Sequence, residues 1–113
     1  MKITTTTGPV TILAVTGYID AETLPQLIGE AKRTLEAGQV RLVLDLSGVD
    51  YVGSGGLLAL QTIAGQAAAG GGKAVLCGLN PRVMKVFEMT GFNQRLDIFP
   101  DRAAATASFK DVS

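Results

Sequence analysis

Two short runs rich in β-branched residues open the chain. Lys2 to Thr7 is dominated by threonine and stops at Gly8-Pro9, and Val10-Thr11-Ile12-Leu13-Ala14-Val15-Thr16 follows directly. Two such runs about a Gly-Pro break predict an antiparallel hairpin, with the second strand the more buried. After Asp20 the rhythm changes: Leu24, Leu27, Ile28, Ala31 and Leu35 fall on one helical stripe, and Gly38 closes it. Pro25 fits in a first turn, where its missing N–H has no intrahelical role, and Asp20 or Thr23 is placed to cap the start. Val40 to Leu46 is apolar almost throughout, the pattern of a central strand covered on both faces.

Ser47-Gly48-Val49-Asp50 reads as a turn, and Tyr51-Val52-Gly53-Ser54-Gly55-Gly56 leads into an alanine-rich helix. That helix buries Leu57, Leu60, Ala64 and Ala67 and ends at Gly70-Gly71-Gly72. Lys73 to Gly78 is a short buried strand. Asn80-Pro81 supplies an N-cap and a proline at N1 for a helix carrying Val83, Met84, Val86 and Phe87 toward Gly91. Leu96 to Phe99 is a last strand, and Pro100-Asp101 starts a final helix reaching about Phe109. The order ββαβαβαβα predicts an α/β fold, a mixed β-sheet with parallel crossovers and helices packed on it.

Composition narrows the function more than the fold. The 113 residues suit a single domain, 1–113, and 47% of them are apolar. Ten basic and ten acidic side chains give zero net charge, so no footprint for direct nucleic-acid binding is present. There is no histidine and one cysteine, Cys77, which removes Ser-His and Cys-His catalytic pairs, His-based zinc sites and internal disulfides. No paired acids suggest general acid–base work or a metal, and an enzyme is not expected. Neither a signal peptide nor a run of about 18 apolar residues is present, so the expected location is the cytoplasm. Gly53-Ser54-Gly55-Gly56 lacks the Gly-Lys-Ser/Thr end of a P-loop, and no GxGxxG occurs, so no cofactor is predicted.

The informative stretch is Asp45 to Leu57: a buried strand, a turn and a glycine-lined helix start bearing one hydroxyl. Helix N-termini present free N–H groups and a partial positive charge, so an anion is tolerated there. Ser54 therefore has two readings, as a simple N-cap or as the carrier of a phosphate. Asp45 and Asp50 read as solvated turn formers, and Ser47 as a turn residue. Met84, Phe87 and Met89 read as core, and Cys77 as a small buried hydrophobe.

Asp45-Leu46-Ser47-Gly48-Val49, the aromatic Tyr51 and the turn before Gly56-Leu57 resemble the STAS domains of anti-sigma-factor antagonists. Gly17-Tyr18-Ile19-Asp20-Ala21 and the segments Gly78-Leu79-Asn80-Pro81, Thr90-Gly91-Phe92 and Leu96-Asp97-Ile98-Phe99 extend the resemblance over nearly the whole chain. The resemblance implies a protein that captures an anti-sigma factor serine kinase in a partner-switching cycle. Phosphorylation of a serine at the start of the second helix ends the capture, and a PP2C-type phosphatase restores it. By the same resemblance, Ser54 is the phosphorylation candidate, and Asp20, Gly53, Ser54, Gly55, Gly56 and Leu57 are the partner-binding candidates. One departure stands out: the family's usual Asp-Ser-Ser/Thr-Gly-Leu turn reads Gly53-Ser54-Gly55-Gly56-Leu57 here. The remaining hydroxyl sits one place early, a rotation of about 100° on a helix. The alternative is a STAS scaffold subunit, not phosphorylated, within a larger signalling or lipid-transport assembly. Whether the chain pairs as a homodimer is left open by the sequence.

Overall fold

A computed structural model describes residues 1–109. The elements run β1 (Lys2–Thr6), β2 (Thr11–Ile19), α1 (Leu24–Glu36), β3 (Arg41–Val52), α2 (Ser54–Ala69), β4 (Lys73–Cys77), α3 (Pro81–Thr90), β5 (Ile98–Phe99) and α4 (Arg102–Ala107), with a 3-10 turn at Phe92–Gln94. This is the predicted order ββαβαβαβα. The five strands lie side by side in chain order, β1 antiparallel to β2 and every later pair parallel.

Parallel neighbours require crossovers, and α1, α2 and α3 supply them on one face of the sheet. Leu27 and Ala31 of α1, Leu60, Ile63 and Ala67 of α2, and Val83 and Phe87 of α3 share a core with Leu13, Leu42, Leu44 and Leu76 of the strands. A smaller core on the opposite face joins Val43, Val75 and Cys77 to Ala105 and Phe109 at the carboxyl-terminal end. Residues Leu42 to Leu46 are buried without interruption because β3 is covered on both sides.

Ser47-Gly48-Val49-Asp50 is not a turn: β3 runs straight through it to Val52. The pairing with β2 slips twice, between Ala14 and Thr16 and between Gly17 and Tyr18. Each slip adds a residue and breaks the alternation that marks a strand, so small polar residues there imitate a turn. Gly48 is needed at this point, since a Cβ on it would lie 2.5 Å from Thr16 Cγ2. Strand β2 likewise continues three residues past Thr16, to Ile19.

Asp45 differs from expectation as well. It is buried against α4, where Arg102 donates from Nε at 3.1 Å and Nη2 at 2.7 Å to its Oδ2. The Ser47 amide donates to Oδ1 at 3.0 Å. Burial alone would raise the carboxyl's pKa, but the Ser47 amide and the Arg102 guanidinium outweigh it and hold the group below its ordinary value. Cys77 is fully buried, as expected, and burial together with the charge of Asp45 pushes its thiol up to about 11. In α3, Phe87 is core, whereas Met89 stands out into solvent.

Candidate functional site

Strands β2 and β3 are parallel and in register at their carboxyl ends, with Tyr18 opposite Tyr51 and Ile19 opposite Val52. Ligand and partner sites in open parallel sheets favour this end, where following helices begin. Here the starts of α1 and α2 converge. The Gly53 amide donates to the Ile19 carbonyl at 2.9 Å, extending the ladder by one bond before the chain turns into α2.

The N-cap of α2 is Gly53, in extended geometry at φ −82° and ψ 172°, and not Ser54. Ser54 is the first helical residue, exposed, and makes no capping bond. The first intrahelical bond runs from the Leu57 amide to the Gly53 carbonyl at 3.1 Å, so the amides of Ser54, Gly55 and Gly56 precede it. The simple N-cap reading of Ser54 is therefore replaced: its hydroxyl is presented outward beside a run of free N–H groups.

Asp20 opens the turn that leads into α1, whose N-cap is Thr23, without a side-chain capping bond. Its Oδ1 accepts from the amides of Glu22 at 3.0 Å and Thr23 at 3.1 Å. Thr23 returns the bond, its hydroxyl accepting from the Asp20 amide at 3.0 Å and donating to the Tyr18 carbonyl at 2.7 Å. This reciprocal pair fixes the path from Tyr18 into α1 and leaves the Asp20 carboxylate at the mouth of the site. Asp20, Ala21, Leu24, Tyr51 and the turn 53–56 line one shallow depression of about 260 Å³.

The partner-binding candidates split by accessibility. Asp20, Gly53, Ser54 and Gly55 reach the surface, while Gly56 and Leu57 are buried and face the core. Gly56 acts by its lack of a side chain: a Cβ there would lie 2.7 Å from Ile19 Cγ2 and 3.0 Å from Val52 Cγ1. It lets α2 start directly on the strand ends. Sequence reasoning missed Tyr18 as a site residue. Tyr18 and Tyr51 stand 57% and 53% exposed, their rings 6.5 Å apart and nearly perpendicular at the edge of the depression. The signal was present as two aromatics each two residues ahead of a helix-start feature, at Asp20 and at Gly53. Among the described residues, no cluster of three or more His, Cys, Asp or Glu side chains could hold a metal. No helix among them is long and apolar enough to cross a membrane.

This architecture, a mixed sheet with two helix starts framing an exposed serine, is that of a STAS domain. The chain belongs to the STAS domain family, whose model matches residues 1–105. It is 39% identical over 102 residues to a Bordetella bronchiseptica protein named as a candidate anti-sigma factor antagonist, BtrV, covering 88% of this chain and 85% of that one. A crystal structure of a candidate anti-sigma factor antagonist from Thermotoga maritima superposes with a TM-score of 0.87 at 20% identity, over 94% of this chain and 92% of the other. The phosphorylated form of SpoIIAA, a Bacillus cell fate determinant, gives 0.69 at 16% identity over 95% and 97%.

Proposed function

We propose that this chain is an anti-sigma-factor antagonist that captures an anti-sigma factor serine kinase and is released by phosphorylation of Ser54. The observation that carries the reading is the placement of Ser54 as the exposed first residue of α2, in one depression with Asp20. A phosphate there adds about −1.5 to −2 charges. The free amides of α2 offset part of that charge, which leaves the fold intact. The Asp20 carboxylate across the depression opposes the rest, so the added charge falls on the face a partner must approach. Kinase transfer and removal by a PP2C-type phosphatase then form a cycle in which this chain is the substrate and catalyses neither step.

The turn itself gives the scaffold reading its one specific support, because Gly53 and Gly55 stand where the family resemblance leads one to expect an acid and a second hydroxyl. A pull-down from native lysate with wild-type, Ser54→Ala and Ser54→Asp baits separates the two. Antagonist function requires recovery of an ATP-binding serine kinase, phosphate on Ser54 of the wild type, and weakened recovery by Ser54→Asp. A multi-protein assembly held equally by all three baits, with no phosphate on any, would establish the scaffold instead.

A further inference from the structure

Helix α2 contains no Asp, Glu, Lys or Arg in its sixteen residues, SGGLLALQTIAGQAAA. Its inner face is core, but Leu58, Thr62, Gly65 and Gln66 are open to solvent. Surface helices ordinarily carry charge on the outer face, and α1 and α3 of this chain do so through Lys32, Arg33, Glu36, Arg82, Lys85 and Glu88. Depletion of charge over an accessible surface marks the centre of protein interfaces.

The uncharged face is continuous with the Ser54 depression. Gly55 lies against Leu24 of α1, whose Cδ2 would be 3.4 Å from a Cβ at that position. One helical turn further along, Ile28 and Lys32 of α1 meet Ala59, Thr62, Ile63 and Gln66 of α2 across a groove of about 180 Å³. Leu58 sits on α2 between Gly55 and Thr62 at the three- and four-residue spacings that share a helix face. Five large apolar side chains are exposed among the described residues. Tyr51 lines the Ser54 depression with Tyr18 against it, Ile28 lines the groove, Leu58 lies on the outer face of α2 one turn from Ser54, and only Met89 is elsewhere.

We infer that the seam between α1 and α2 is a second, apolar anchor for the same anti-sigma factor that contacts Ser54, with Leu58 and Ile28 as its principal contacts. The inference rests on the antagonist reading. Its occupant is a protein presenting an apolar ridge, because the strip begins at the switch residue itself and a partner covering Ser54 is carried onto Leu58 by the helix. A lipid surface does not suit it, since Lys32 is the single basic side chain lining the groove and α2 adds none to meet anionic headgroups. The seam gives holding strength that does not depend on charge, and Ser54 gives the means to end it.

The test places a benzoyl-phenylalanine photocrosslinker singly at Ser54, at Leu58 and, as control, at Met89, exposed in the last turn of α3. Each protein is irradiated in native lysate and the crosslinked polypeptides are identified by mass spectrometry. The same ATP-binding kinase at Ser54 and Leu58, and not at Met89, is the expected result. That polypeptide, purified, should bind Leu58→Asp at least about tenfold more weakly and Leu58→Met within about twofold of wild type, with equal thermal midpoints. A kinase crosslinked at Ser54 but not at Leu58 overturns the seam and leaves the antagonist reading standing. So does a second copy of this chain, or a different protein, at Leu58. Absence of a kinase at both positions overturns both readings.

Discussion

Gly55 and Gly56 are chemically identical neighbours under opposite constraints. Gly56 is wedged against Ile19 and Val52, so Gly56→Ala forces overlap that helix propensity only partly offsets, and a net loss of about 1–2 kcal/mol is expected. Urea denaturation should show it as a lower midpoint at unchanged slope. Gly55 meets only the tip of Leu24, a flexible side chain. Gly55→Ser should therefore leave stability equal or raise it by about 0.5 kcal/mol. It also puts a hydroxyl where the family resemblance expects one. If the partner kinase reads that position, incubation with kinase and ATP will move the phosphate from residue 54 to 55, visible by peptide mass spectrometry. Phosphate confined to Ser54 would show that the kinase reads position 54 itself. Cys77 belongs at this scale too. With its thiol pushed up to about 11 and fully buried, it should resist thiol reagents at pH 8 in the native protein and react once urea unfolds it.

The elements differ in how plainly their sequences announce them. Helix α3 follows the rules closely: Asn80 Oδ1 accepts from the Val83 amide at 2.9 Å, Pro81 stands at N1, and Gly91 closes the helix at φ 78°. Asn80 has a second task that no local rule reveals. Its Nδ2 donates to the Val49 carbonyl at 3.0 Å, tying the start of α3 to the irregular half of β3. Asn80→Ala removes a cap and a tertiary bond together and should cost about 1–2 kcal/mol in a thermal or urea measurement. A value of a few tenths would mean that the Val49 carbonyl finds another donor. Strand β3 is the opposite case. Its apolar half, Leu42 to Leu46, was legible because burial on both faces leaves an unbroken apolar run. The half from Ser47 to Val52 was not, because bulges leave only Val49 and Val52 buried and dissolve the two-residue period. The candidate site was half legible for the same reason. Ser54 and Asp20 sit at helix starts, where sequence signals are strong. Tyr18 and Tyr51 meet only because the bulged strands carry them into register.

At the scale of the molecule the sheet is held unequally on its two faces. Three helices cover one side, whereas the short α4 is fastened to the other by Ala105, Phe109 and the Asp45–Arg102 pair. Asp45 makes that attachment sensitive to acid. Its folded pKa lies below the ordinary 3.8, so the unfolded chain takes up the proton first as pH falls. The stabilisation is complete above the unfolded value and disappears as pH drops through the folded one. Folding free energy measured from pH 6 down to pH 2 should decline less steeply in Asp45→Asn than in wild type, though Asp45→Asn starts from a lower value at pH 6. Identical slopes would show that other carboxylates govern the acid limb.

The want of ionisable groups on α2 bears on how faithfully a signal written there could be read. Surface charges elsewhere respond to pH and are screened by salt over about 8 Å under physiological conditions. On α2 there is nothing to respond. A phosphate on Ser54 becomes the sole charge of a sixteen-residue helix, a mark on a blank page. On that helix salt and pH then act only through the phosphate, which is screened like any surface charge and whose second proton titrates at about 6. Contrast between the marked and unmarked forms is set by the modification itself.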